Sequence, residues 1–187
     1  MTDKTTALVL IDLQNDYFPG GAMELVNAEA AVSQAARLLA GFRDKGLPVF
    51  HVQHICEESD ATFFLPGTPG AQIHAAVRPN AGERLIVKHF PNAFRNTTLL
   101  DDLRGAGTTN IVFAGMMTHM CVDTTVRAAA DLEFQCSLAA DGCATTHLTL
   151  ADKTVDAAHA QLAYLAALND GFAAVRSTDA LCEELNR

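Results

Sequence analysis

The segment Ala114–Leu132, AGMMTHMCVDTTVRAAADL, joins a buried apolar run to an amphipathic helix and puts Cys121 at the junction. Upstream, Asn110 to Ala114 reads as a short strand, and Gly115 lets the backbone turn sharply where the strand ends. Downstream, Val122, Val126, Ala129 and Ala130 recur at helical spacing, so Cys121 is expected in the first turn of a helix. Unpaired backbone N–H groups and the positive end of the helix dipole collect there. They stabilise a thiolate, and equally an oxyanion formed when that thiolate attacks a carbonyl. A free cysteine is more often a small buried hydrophobe, so a catalytic reading needs partners elsewhere in the chain.

The same alternation extends in both directions. Ala7 to Ile11, Val49 to His54, Arg84 to Val87, Asn110 to Ala114, Cys136 to Ala139 and Phe172 to Val175 read as buried strands. Between them, Ala28 to Lys45, Thr98 to Gly105, Val122 to Leu132 and Thr154 to Leu168 carry helical periodicity. This pattern predicts one α/β domain over residues 1–187, a three-layer doubly wound sheet with helices on both faces. The stretch from Glu57 to Ala81 breaks the pattern, with Pro66, Gly67, Pro69, Gly70 and Pro79 among apolar residues. It reads as a long excursion with a short helix around Ala71 to Ala76, of the kind that forms a lid, a pocket wall or a subunit contact.

Composition narrows the function. The 187 residues carry a net charge of -9 without a Lys/Arg cluster, which argues against nucleic-acid and anionic-membrane partners and favours a small-molecule substrate. The N-terminus, MTDKTT, has neither a signal-peptide pattern nor a membrane-length apolar run after it, so a cytoplasmic location is expected. The five cysteines, Cys56, Cys121, Cys136, Cys143 and Cys182, form no CxxC pair and are expected to be reduced thiols.

Ligands of open α/β sheets bind beyond the carboxyl ends of the strands. Asp12 ends ALVLID, Lys88 ends RLIVK, and Cys121 follows NIVFAG by one loop. The trio is chemically coherent. Asp12 can take the thiol proton, while Lys88 keeps Asp12 ionised and offsets the repulsion between carboxylate and thiolate. Taken singly, a strand-end Asp also caps turns and a strand-end Lys usually reaches to solvent.

These residues lie in LVLIDLQNDYF (8–18), IVKHFPNAF (86–94) and GMMTHMCVDTTVRAAADLEF (115–134), the last followed by a strand ending at Asp141. Through them the chain resembles the isochorismatase-like cysteine hydrolases, over essentially its whole length. The resemblance implies a six-stranded parallel sheet of order 3-2-1-4-5-6. It also implies an Asp12-Lys88-Cys121 triad, a cis peptide at Met116-Met117, and an oxyanion hole built from the Met117 and Cys121 N–H groups. The reaction it implies is attack by Cys121 on an amide, ureide or lactam carbonyl through a thioester. Two rivals stand beside it: vinyl ether cleavage of the isochorismatase type, and a thiol protein that is redox-sensitive or ligand-binding but not hydrolytic.

Family members with a metal site carry an Asp-x-His pair after the second strand. Here HVQH has no such Asp, and His51 and His54 point to opposite faces of a strand, so no metal and no cofactor is expected. For the substrate pocket the candidates are Gln14, Tyr17, Phe18, His54, Phe64, Leu65, Phe90 and His119, with His119 equally readable as lining its loop. His51 reads as a core residue, and Arg127 as the partner of an acidic neighbour. The Ala-rich helices pack on the sheet or form subunit contacts, and the resemblance implies a homo-oligomer, dimer or tetramer.

Overall fold

The computed structural model describes residues 6–186. The run TALVLI forms β1 (Thr6–Ile11), with residues 7 to 11 buried, as befits a strand covered by helices on both faces. It is followed in chain order by α1 (Ala28–Asp44), β2 (Val49–His54), β3 (Arg84–Lys88), α2 (Leu99–Gly105), β4 (Asn110–Met116) and α3 (Asp123–Asp131). Next come β5 (Gln135–Ala144), a hairpin of β6 (Leu148–Leu150) and β7 (Lys153–Val155), then α4 (Ala157–Asn169), β8 (Ala174–Arg176) and α5 (Thr178–Leu185). Six strands form one parallel sheet in the order β3-β2-β1-β4-β5-β8, the expected arrangement with the hairpin strands counted separately.

Alternate β1 side chains enter opposite layers. Leu8 and Leu10 meet Val32, Ala35, Leu38 and Phe42 of α1 and Leu181 of α5. Ala7, Val9 and Ile11 meet Leu99 and Leu103 of α2, Val126 and Ala129 of α3, and Leu168 of α4. Among the described residues no helix is long and apolar enough to cross a membrane.

Several elements differ from the sequence reading, and β5 runs on to Ala144, past the expected end at Ala139. Thr154 and Val155 belong to the hairpin rather than a helix, because Asp156 caps α4 by accepting a hydrogen bond from the His159 N–H at 2.9 Å. Helix α5, which periodicity did not reveal, is capped by Ser177. The helix expected around Ala71 to Ala76 is a 3-10 turn at Ala75–Val77, while Ile73 bridges back to Gln14. The last strand spans Ala174–Arg176, displaced from Phe172 to Val175.

The site depends on how closely β4 approaches β1. Gly115 lies opposite Ile11 at φ 150°, and a Cβ there would run into the Ile11 carbonyl oxygen. Only glycine fits at this point of β4, one residue before the strand ends at Met116. At the amino end of β3 a second constraint fixes the sheet edge. Glu83 receives Arg43 Nε at 2.7 Å and Arg43 Nη2 at 2.8 Å, the Asn80 N–H at 2.8 Å, and lies 2.8 Å from Nε2 of fully buried His51. Burial lowers the His51 pKa against the opposing pull of Glu83, so the ring is neutral and donates.

Burial also pushes the Glu83 carboxyl up, but the hydrogen bonds from Arg43, Asn80 and His51 outweigh it and hold the group at about 2, against an ordinary 4.5. The stabilisation is therefore complete above pH 4.5 and is lost as pH falls toward 2. Urea unfolding of Glu83→Gln should show lower stability than the parent chain at neutral pH. The two stabilities should converge as pH falls through that window.

Candidate active site

At the end of β1 the chain leaves the sheet through Asp12 at φ 49°, a left-handed conformation that Asp adopts more readily than most residues. The Asp12 N–H still donates to the Val52 carbonyl at 3.0 Å, so the residue stays fixed to the sheet. Two strands away, Lys88 ends β3 in register with His54, which ends β2. Both Asp12 and Lys88 are wholly buried.

The Lys88 ammonium organises the site. Its Nζ lies 2.7 Å from Asp12 Oδ2, 2.7 Å from His54 Nδ1 and 3.2 Å from Cys121 Sγ. An ammonium has three protons, and three acceptors surround this one. Burial works against the Lys88 charge, but Asp12 and Cys121 outweigh it and raise its pKa. His54 is lowered by burial and by Lys88, so its ring is neutral, with Nδ1 accepting. Asp12 Oδ1 is buried without a hydrogen-bond partner among the described residues.

Cys121 reaches this cluster through an unusual segment. After Gly115 comes the cis bond Met116-Met117, then a π-helical turn over Thr118–Val122 that leads into α3. The turn is closed by the Val122 N–H donating to the Met117 carbonyl at 3.2 Å. It is anchored to the end of β5 by Thr118 Oγ1 donating to the Ala144 carbonyl at 3.1 Å and by His119 Nδ1 at 2.6 Å from Thr145 Oγ1. The expected primed thiolate is not its resting form. Burial first, and then Asp12, push the thiol well above its ordinary value, and Lys88 only partly opposes them. The charge count agrees: one ammonium balances one anion, Asp12 carries that charge, and Cys121 keeps its proton.

The excursion closes over this cluster. The Asp16 carboxylate accepts the Phe64 N–H at 2.6 Å and the Ala22 N–H at 3.2 Å, and Gly70 packs against it where no Cβ would fit. Phe64, buried at φ 53°, lies edge-on to Tyr17 with ring centroids 4.7 Å apart and 6.1 Å from the His54 ring. Sequence reading missed Asp16, because Phe64 and Gly70, which it holds against the first strand's exit, lie about fifty residues away and leave no local signature.

The candidate pocket residues divide. Tyr17, His54 and Phe64 gather on one side of the Asp12, Lys88 and Cys121 cluster. The Tyr17 phenol is raised well above its ordinary value by burial, then by Cys121 and Asp12. Gln14 is spent on the backbone: its Nε2 donates to the carbonyls of His54 and Ala71, both at 2.8 Å, and its Oε1 accepts the His54 N–H at 2.8 Å. It therefore positions His54. Phe18 stacks on His74 at 4.1 Å, Phe90 lies under the Arg95 guanidinium, and Leu65 is exposed. His119 is held between Thr145 and the edge of Tyr164. Arg127 pairs with Asp123 as expected.

Among the described residues, Asp12, His54 and Cys121 form a three-donor group with ligand atoms within 4.8 Å of one another. The Lys88 ammonium already contacts all three, so it stands where a cation would.

The Isochorismatase domain profile matches residues 6–180. The chain belongs to the isochorismatase family. The uncharacterised isochorismatase family protein YddQ of Bacillus subtilis is 52% identical over 176 residues, 94% of this chain and 98% of that protein. A crystal structure of an isochorismatase-type chain from Oleispira antarctica superposes with a TM-score of 0.94 at 47% identity, covering 98% of each. Ureidoacrylate amidohydrolase RutB of Variovorax paradoxus is 26% identical over 165 residues, 69% of this chain and 64% of that protein. The chain is thus a hydrolase of the isochorismatase family.

Removing the ammonium while leaving the carboxylate buried isolates its role. Lys88→Met should cost about 3–5 kcal/mol in urea unfolding. Adding Asp12→Asn to it should recover part of that loss, because the uncompensated charge is gone.

Proposed function

We propose that this isochorismatase-family hydrolase cleaves a C–N bond of a small amide, ureide or lactam through a thioester on Cys121. The observation that carries this reading is the Lys88 ammonium in contact with both Asp12 Oδ2 and Cys121 Sγ inside a buried site. An amidohydrolase among the relatives is consistent with it.

In this reading Asp12 takes the Cys121 proton as sulfur attacks the substrate carbonyl. The negative charge passes from the carboxylate to the reacting centre, and Lys88 stays within reach of both. The N–H groups of Met117 and Cys121 receive the oxyanion. Collapse breaks the C–N bond, and the proton held by Asp12 leaves with the amine or ammonia. Asp12 then deprotonates a water, which attacks the thioester, and Cys121 recovers its proton as it departs. Tyr17, His54 and Phe64 form the wall nearest the reacting atoms. The alternative is vinyl ether cleavage, which needs no thioester.

Intact-mass analysis during turnover of a panel of amides, ureides and lactams separates the two. The proposal expects an acyl mass added to Cys121, release of ammonia or amine, and a loss in kcat of about 10^4-fold or more for Cys121→Ala. An inert panel together with turnover of isochorismate, or full amide turnover by Cys121→Ala, contradicts it.

A further inference from the structure

We infer that His54 sets the specificity of the proposed hydrolysis: its Nε2–H donates to a second carbonyl of the substrate, so the site takes neutral compounds with two nearby carbonyls, such as cyclic imides and N-acylureas. The role assumes that the scissile carbonyl docks at Cys121, as proposed above.

A neutral imidazole carries its proton on one ring nitrogen, and here Lys88 decides which. An ammonium offers protons and no lone pair, so at 2.7 Å it leaves His54 Nδ1 the part of acceptor. Burial, and then Lys88, keep the ring neutral. The proton is therefore on Nε2, on the ring edge away from Lys88. It is unspent there. Among the described residues, the hydrogen bonds of His54 run through its backbone N–H, its carbonyl and Nδ1.

This donor is held from two sides. Gln14 grips the His54 backbone N–H and carbonyl, each at 2.8 Å, while Lys88 grips Nδ1. A ring nitrogen of His54 lies within 4.8 Å of Cys121 Sγ. The two ring nitrogens are separated by a single carbon, so Nε2 is within reach of atoms a few bonds from the carbon that Cys121 attacks. A donor fixed beforehand loses little freedom when a ligand arrives. The Tyr17 phenol also keeps its proton, raised by burial and then by Cys121, but its O–H rotates and selects no direction. Gln14 and Asp16 are engaged with the main chain.

The charges nearby select the kind of acceptor. Asp12 balances Lys88 at 2.7 Å. Beyond burial and that pair, the next group acting on His54 is the exposed Glu58 carboxylate, which after burial is also the first charge acting on Cys56. His89 opposes Glu58 more weakly, and its ring is 3.8 Å from Glu57 Oε2. A substrate carboxylate at Nε2 would meet Glu58 as a like charge. A neutral carbonyl accepts the same N–H without that repulsion.

Binding measured in a Cys121→Ser background separates this role from the chemistry. The probes are succinimide, a five-membered cyclic imide, and 2-pyrrolidinone, the same ring with one carbonyl, each titrated by NMR. With His54 present, succinimide should bind about 5–10-fold more tightly. His54→Phe should abolish that ratio. His54→Gln, which offers an amide oxygen to Lys88 and an N–H to the ligand, should keep part of it. Equal affinities with His54 present, no binding of either probe, or a ratio that survives His54→Phe overturns the proposal. The unmodified chain, labelled with 15N-histidine, guards against misfolding of a variant. At neutral pH its His54 ring should be protonated at Nε2 alone, and the Nε2 proton should shift on adding succinimide. A proton on Nδ1, or an Nε2 proton that succinimide does not move, overturns the proposal equally. The predicted ratio in a chain that forms no acyl adduct on Cys121 would contradict the hydrolytic reading and leave the role of His54 standing.

Discussion

The buried ammonium of Lys88 is the constraint on which the rest of the site depends. Its three protons face acceptors from three other elements: Asp12 at the end of β1, His54 at the end of β2, and Cys121 in the turn after β4. With Lys88 ending β3, the four adjacent strands β3-β2-β1-β4 meet in one charge cluster at their carboxyl ends. Buried charge is tolerated only when paired and fully hydrogen-bonded. The sheet order supplies that pairing, because residues far apart in the chain end neighbouring strands.

The surrounding structure keeps this cluster in place through the main chain. Gly115 permits the close approach of β4 to β1, and the π-helical turn is anchored to the end of β5 through Thr118 and His119. Gln14 locks the backbone of His54, and so the ring whose Nδ1 faces Lys88. Asp16 pulls Phe64 over the site from the far excursion. Gln14 and Asp16, polar side chains that look available to a ligand, are thus consumed in positioning, while the ring of Phe64 lies between those of Tyr17 and His54.

The central strands were legible because buried parallel strands are continuous apolar runs, and Asp12, Lys88 and Cys121 because polar residues at strand ends face the ligand side. Less could be read where long-range partners decide. Nothing local tells that the Gln14 amide is spent on His54 and Ala71, or that Asp16 holds Phe64. Phe90 reads as a pocket wall until Arg95 is seen stacked on it. Short elements also escaped: the β6–β7 hairpin has three residues per strand, and α5 has too few turns to establish a period. The state of the thiol was misread because the helix-start argument omits burial and the adjacent carboxylate, which here outweigh Lys88.

One ammonium balancing one anion at a time is the central physical claim, and the ultraviolet absorbance of the thiolate tests it directly. The difference spectrum between the parent chain and Cys121→Ala, recorded without substrate at neutral pH, should show no thiolate band, because the resting charge is on Asp12 and the proton on Cys121. A thiolate band for Cys121 at neutral pH would contradict the account.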